Sequence, residues 1–503
     1  MARLSPHDSG AFHMTAEPIG HIVICGSGLA AWMTAATLSK NLPAAIQITV
    51  LETTNSDTAD IFYGSVTNPN AYRFFLNLGL SEADLLLRTQ SSFSYGTSYK
   101  NWGLTDASWV QSFQAPFPIW DGAPFAHHIT NATPPLEQYL MSAQAAIKGK
   151  FAHPPADKNS PLSSAEYGYH FNAGHLTNLL KIIAGKHGVK SKSQDIVSTQ
   201  MRDGKISGLE LKDGETLSAD LYIDASGPDA TLSSALEGAD FQNTRDLSAL
   251  YSELKNENLG PPLRQVISHD FGWQSRAPLQ NDDAVLTIYA PQSEEAARKA
   301  HPHGVTAQCS VSLGRRIKAW SGNCVAIGHA AAIVEPTSPA PLMLLQMDIE
   351  RLMGLIPVTD DFEIEAKIFN EAFQKDVENI ELFNAALFQL EGLAETEYWS
   401  TAKSNSASAR LNRKLEQFAH RGLLVSYDLE PFNDEDWTIL HHGSGRTPRK
   451  RDAIAKLSDL DKTDRDLENK AQAIQTIVAK MPPHHIYLAK FLNYLERNHV
   501  SDL

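Results

Sequence analysis

The sequence predicts an α/β fold built around a dinucleotide-binding strand–turn–helix, interrupted by long insertions and closed by helices. Three observations predict it. A glycine-rich turn at 26–31 joins an apolar run to a helix-forming stretch. A second apolar run, "IQITVLETT", ends near an acid, Glu52. Two late runs, "ETLSADLYIDASGP" at 215–228 and "AWSGNCVAIG" at 319–328, read as further strands of the same sheet.

The turn comes first. Ile22 to Cys25 form a short apolar run suited to a strand buried on both faces. Gly26-Ser27-Gly28-Leu29-Ala30-Ala31 follows, and then residues that favour helix. This is the context that a G-x-G-x-x-[GA] match requires. Gly26 permits the tight turn, Gly28 lets the backbone approach a pyrophosphate, and Ala31 lets helix and strand pack closely. Phosphates would rest on the helix N-terminus, where free N–H groups favour negative charge. Glu52, 24 residues after Gly28, is placed to accept hydrogen bonds from an adenosine ribose.

The later strands favour FAD over NAD. A simple dehydrogenase would complete its sheet in close succession. Here more than 100 residues separate Glu52 from "YGYHFNAGHLTNLLKIIAGKHGVK", which reads as a helix followed by a strand. The prediction is an FAD-binding Rossmann-like fold of the two-domain flavoprotein monooxygenase type, with an inserted substrate sheet and a helical C-terminal region. Residues 20–356 would hold the FAD module interleaved with a substrate module at about 90–165 and 240–312, and 360–503 a mostly helical cap. Within the insertion, "FSYGTSYKNW" at 93–102 alternates aromatic or β-branched with small polar residues, and reads as one half-buried strand.

Composition narrows the class. The chain has 503 residues, 42% hydrophobic, enough for a large core. A formal net charge of −15 argues against nucleic acid and anionic membrane surfaces as partners. Cys25, Cys309 and Cys324 lack zinc-ligand spacing and do not suggest a disulfide framework. The histidine pairs in "AHH", "LHHG" and "PHHI" lack partners at ligand spacing, so no metal is expected. The first twenty residues lack the features of a secretory signal, and no apolar stretch reaches the roughly 18 residues of a membrane helix. A cytoplasmic protein is expected.

The motifs together resemble the flavin-dependent tryptophan halogenases over nearly the whole chain. "YGSVTNP" at 63–69 sits where that family carries its flavin strap. "FFLNLGLSEADLL", "YHFNAGHL", "LSADLYIDASG", "AWSGNCVAIG", "EYWSTAKS" and "SYDLEPFNDEDWTILHHGSGRTP" follow in family order. Beside Gly26, Gly28, Ala31 and Glu52, the resemblance implies flavin contacts at Leu29, Ala30, Thr67, Ile196, Asp224, Gly227, Gly328, His329 and Ala340. It also implies reduced FAD from a separate reductase and a small organic substrate, with Phe93, Trp273 and Pro278 lining its pocket. A homodimer is left open.

The resemblance breaks at the catalytic positions. Halogenating members carry a lysine in a strand of the form Phe-Lys-x-Gly/Ala-x-x-Phe-x-Asn-Trp; that position is Ser94. Lys100 lies about six residues away at about 3.3 Å each, or roughly 20 Å, too far to substitute. The family's Trp-x-Trp-x-Ile-Pro appears as "WQSRAP", with Ser275 and Ala277 replacing Trp and Ile. Its Glu-Pro-Leu-Glu-Ser-Thr-Gly appears as "EPTSPAP": Ser338 stands for the catalytic glutamate, Pro339 and Ala340 for the halide region. The strap acid is Ser65. The expectation is a protein that kept flavin and uses reduced FAD and O2 to oxygenate an organic substrate. A halogenase with a rearranged site, and a non-catalytic flavin- or substrate-binding protein, are the alternatives.

Overall fold

A computed structural model describes residues 18–54, 57–103, 108–120, 122–129, 133–302, 304–425, 430–450, 452–455 and 460–499. The N-terminal stretch expected to lack a signal, and residues 426–429 of the last family motif, lie outside these.

The nucleotide unit forms as its pattern demands. His21–Cys25 (β1) is buried from Ile22 onward. Leu29–Asn41 (α1) follows, and then Gln47–Glu52 (β2). β1 sits between β2 and Leu221–Asp224, parallel to both. The six-stranded order is Trp320–Ser321, Cys324–Ala326, Leu221–Asp224, β1, β2, Lys190–Ser193. The two late apolar runs thus return to the first sheet. The helix Ala173–Lys186 packs on α1.

The insertions build an eight-stranded sheet. Its order is Ala332–Ile333, Ala307–Arg316, Phe241–Lys255, Asp282–Tyr289, Gly272–Pro278, Arg264–His269, Gly96–Lys100, Trp109–Ser112. From Glu363 onward every regular element among the described residues is a helix. No described helix is long and apolar enough to cross a membrane.

One expectation is corrected. Residues 93–102 are two strands, not one. Ser92–Ser94 pairs with Gly168–His170, whereas Gly96–Lys100 pairs with Arg264–His269 and Trp109–Ser112. Gly96 makes the break, with φ of +139° and so little space that a Cβ would lie 2.1 Å from the Gln111 carbonyl oxygen. The segment is also not half-buried: every residue from Ser92 to Thr97 is buried.

Candidate functional site: a nucleotide cradle and a small chamber

The glycine turn is built for close approach. Gly26 has φ of +144°, and a Cβ there would stand 2.2 Å from the Ala225 carbonyl oxygen. Ala30 and Ala31 are buried, and a Cβ on Gly328 would stand 2.9 Å from the Ala30 methyl. At Gly28 the neighbour is a side chain that sequence reasoning missed. The Leu29 N–H donates to Asp60 Oδ2 at 2.7 Å. Nothing in the local pattern announces it, because Asp60 comes from a separate 3-10 turn, Asp60–Tyr63, 31 residues on. Burial pushes its carboxyl up to about 7, Asp57 adds to the rise and the Leu29 N–H opposes it.

The other expected cofactor residues fall into distinct settings. Glu52 ends β2 and accepts from Lys181 Nζ at 2.7 Å and Ser191 Oγ at 2.6 Å. Partial burial opposes ionisation, but these two donors hold the carboxyl below its usual range. Asp224 is fully buried, and both its oxygens are spent on the loop 226–233: it accepts from Ser226, Leu232 and Ser233. Gly227 opens that loop with φ of +75°. Ile196 begins a strand of the small three-stranded sheet. Thr67 is stitched to Tyr169 through both backbone and hydroxyl. His329 follows Gly328 and stacks on Tyr63 with centroids 4.2 Å apart. Burial lowers its pKa to about 3, so the imidazole is neutral.

The family's catalytic positions lie elsewhere and apart. Ser94 is fully buried, with its hydroxyl donating to the Gly96 carbonyl at 3.2 Å, within its own turn. Phe93 stacks on Phe151 at 4.2 Å inside an aromatic cluster with His153, Tyr167 and Phe491. The Pro278 carbonyl accepts from Ser92 Oγ. Ser338 donates to Asn384 Oδ1 at 2.7 Å, and Asn384 in turn donates to the Glu335 carbonyl at 3.0 Å. Ala340 opens the helix Ala340–Gly354, and its N–H points to Ser338 Oγ at 3.4 Å.

Glu335 is the centre of a buried polar cluster. Its carboxylate accepts from the Trp273 indole N–H at 2.7 Å, from the Tyr398 hydroxyl and from Arg245 Nη2. Residues from four distant segments meet here, so only the retained Glu335, Trp273 and the "EYWSTAKS" motif signalled it. Arg264, also fully buried, donates to the carbonyls of Gly64, Pro336 and Thr337, and Tyr99 donates to Thr337 at 2.7 Å. The 335–338 segment is therefore fixed from both sides.

Two cavities flank that segment. A chamber of about 70 Å³ is lined by Thr97, Tyr99, Gln111, Ser338, Phe383 and Phe432 among others. Ser94, Phe93, Trp273 and Pro278 are not in its lining, and neither is any lysine or arginine among the described residues. Its acids are Glu166 and Asp436; burial raises both, Asp436 to about 7. Beyond Glu335 and Asn384 lies a cavity of about 310 Å³, lined by Arg245, Leu382, Phe388 and Arg410.

A family model described as tryptophan halogenase matches residues 21–459. The chain belongs to this family. Tryptophan 7-halogenase KtzQ of Kutzneria sp. (strain 744) is 26% identical, over 80% of this chain and 81% of the relative. 7-chloro-L-tryptophan 6-halogenase KtzR of the same organism is 23% identical, over 93% and 99%. Among solved structures, BrvH, a flavin-dependent halogenase from Brevundimonas sp. BAL3, superposes with a TM-score of 0.86 at 27% identity, over 94% of this chain and 99% of that one. Xcc4156, a flavin-dependent halogenase from Xanthomonas campestris, gives 0.85 at 25%, over 96% and 98%. The fold is thus the FAD-binding Rossmann-like type with a helical C-terminal region, and the chain is an oxidoreductase of a flavin-dependent enzyme family whose cofactor is FAD. The tryptophan halogenase scaffold here fits that cofactor in its backbone: Gly26 and Gly28 clear the turn, and Glu52 closes β2. The Asp60 carboxylate stands on the α1 N-terminus that FAD's phosphates would use.

Proposed function

We propose that this chain is a flavin-dependent oxidoreductase that oxygenates a small organic substrate of aromatic type and does not halogenate tryptophan. One observation carries the reading. Of residues 339–341, two are prolines without an N–H, and the remaining N–H, that of Ala340, points to Ser338. A backbone anion site needs free N–H donors, so the halide region is closed. The neighbouring positions agree: Ser338 offers a hydroxyl already donated to Asn384, and Ser94 faces its own turn.

Gly26, Gly28, Leu29 and Glu52 would hold the FAD, with Gly328 and His329 beside them. Reduced FAD, delivered by a separate flavin reductase, supplies the electrons that activate O2. The chain's own residues bind, orient and exclude water. The chamber of about 70 Å³ is small against the roughly 300–1,000 Å³ of ordinary ligand pockets, so an aromatic substrate must displace part of its lining. Tyr99, Phe113, Phe383 and Phe432 give that lining an aromatic character.

A halogenase with a rearranged site is the second reading, favoured by the halogenases among its relatives. Mass spectrometry separates the two. Protein, FAD, a flavin reductase, NADH, bromide and an indole are incubated, and products are scored for added oxygen against added bromine. Enzyme-dependent oxygenation supports the first reading, and regioselective bromination the second.

A further inference from the structure

The N-terminus of α1 carries an acid from this chain. α1 is 13 residues long, has no side-chain cap from Gly28 and no acid in its first turn. Helix N-termini leave N–H groups free and attract anions. Here the Leu29 N–H donates to Asp60 Oδ2 at 2.7 Å, and a Cβ on Gly28 would stand 2.6 Å from that same oxygen. Asp60 is thus at the point where the second glycine of the motif lets a pyrophosphate approach.

The rest of its turn fills the neighbouring glycine. A Cβ on Gly328 would stand 2.6 Å from the Tyr63 hydroxyl. The Tyr63 ring stacks on His329, whose buried Nε2 has no hydrogen-bond partner among the described residues. The turn ends at Gly64, with φ of +75°, and its carbonyl accepts from Arg264. One short turn therefore covers the helix N-terminus at one end and Gly328 at the other.

We propose that Asp60 is an internal stand-in for the cofactor's pyrophosphate, holding the α1 N-terminus until the dinucleotide displaces it and so setting the affinity for FAD. This rests on the flavin reading above. A diphosphate and the Asp60 carboxyl cannot share this position, because the carboxyl already takes the Leu29 N–H and fills the space beside Gly28. Displacement moves Asp60 into water.

The displacement has a proton signature. Asp60 is pushed up to about 7 by burial, with Asp57 adding to the rise and the Leu29 N–H opposing it. The ionisable groups facing it are Asp57 before the turn, Tyr63 within it and Cys309 on the strand opposite. In water its carboxyl returns to the ordinary range, about 4. Binding then releases a proton, so affinity rises with pH up to about 7 and levels off above it.

Isothermal titration of the full chain tests this. ADP serves as the pyrophosphate probe, adenosine as the probe without phosphate, and FAD as the cofactor. Asp60→Ala is expected to bind ADP and FAD at least about tenfold tighter than wild type, a difference of about 1.4 kcal/mol. Adenosine affinity should be the same in both. The wild-type FAD affinity should climb between pH 5.5 and 7, where the pyrophosphate diester of FAD does not itself titrate, and that of Asp60→Ala should stay flat. Asp60→Asn keeps the shape but cannot ionise, so it should bind FAD no tighter than the wild type at pH 8 and without its pH dependence, which carries the test if Asp60→Ala fails to fold. ADP binding no tighter in Asp60→Ala, or a pH dependence that survives in Asp60→Asn, with FAD binding intact in the wild type, overturns the stand-in alone. Absence of FAD binding in every variant overturns the flavin reading and the stand-in together.

Discussion

The nucleotide cradle and the chamber beside Ser338 are filled in different ways. In the cradle the backbone is intact: Gly26 still clears Ala225, β1 still sits between its parallel neighbours, and Glu52 still ends β2. A single carboxylate is laid over the helix N-terminus. In the chamber the backbone path is also held, by Arg264 and Tyr99 on the carbonyls of 336 and 337. There Ser338 and Pro339 stand in the lining where the family resemblance implies a carboxylate and a halide region, while Ser94, at the position of the family's lysine, lies outside it. A cradle blocked by one side chain is restored by one substitution. A chamber that lost several cooperating groups is not, because groups that act as a unit are strongly non-additive.

The largest effect is expected where the cradle backbone is tightest. Gly26→Val puts a branched side chain into a site where even a Cβ lies 2.2 Å from a carbonyl oxygen, at φ of +144°. Loss of FAD binding is expected with destabilisation of about 3 kcal/mol or more, read by spectral titration and urea unfolding. Unchanged FAD affinity would place the cofactor elsewhere.

The next largest lies beside the chamber. Glu335→Ala leaves the Arg245 guanidinium buried without its carboxylate, and strands the Trp273 and Tyr398 donors. Breaking a buried pair from one side costs about 3–5 kcal/mol. Unfolding midpoints check this, and a shift below the lower bound would show that the cluster is weakly coupled to the fold.

A smaller effect, with a pH sign, comes from Asp60. Its folded pKa is raised from the usual carboxylate range to about 7, so the folded chain holds a proton that the unfolded chain gives up. The corresponding stability is fully present below about pH 4 and is lost as pH rises through 7. Asp60→Asn cannot ionise, so at pH 8 it should exceed the wild type by roughly 1–3 kcal/mol, with the gap closing near pH 4. Thermal unfolding across that range reads the difference; a gap that widens on acidification would contradict the sign.

What was legible in the sequence follows from locality. The strand–glycine–helix and its acid lie within about thirty residues, and short-range pattern specifies them. The late strands were legible because buried parallel strands read as apolar runs. The break at Gly96 was not, since the alternation from Phe93 to Tyr99 runs straight through it and only the opposing Gln111 carbonyl demands a glycine. Aromatic alternation likewise does not say which layer the Phe93 ring enters, and here it enters the cluster around Phe151. Asp60 and the Arg245–Glu335–Tyr398 cluster join distant segments, and single-sequence periodicity carries no trace of such pairings.

The smallest expected effect is also the sharpest comparison between the two regions. Changing Ser94 alone to Lys should produce no halogenation, because the new side chain would start from a buried turn bonded to Gly96 and would be desolvated there. Ser338 and Pro339 would still deny it a carboxylate and a halide.

The most direct measurement is bromide incorporation by the wild type itself. Protein, FAD, flavin reductase, NADH and bromide are incubated with tryptophan and with simple indoles, and products are read by mass spectrometry against a protein-free control. The prediction is no enzyme-dependent bromination at any ring position. Regioselective bromination above the control would contradict it, and would show that the closed site at Ser338–Pro341 still handles halide.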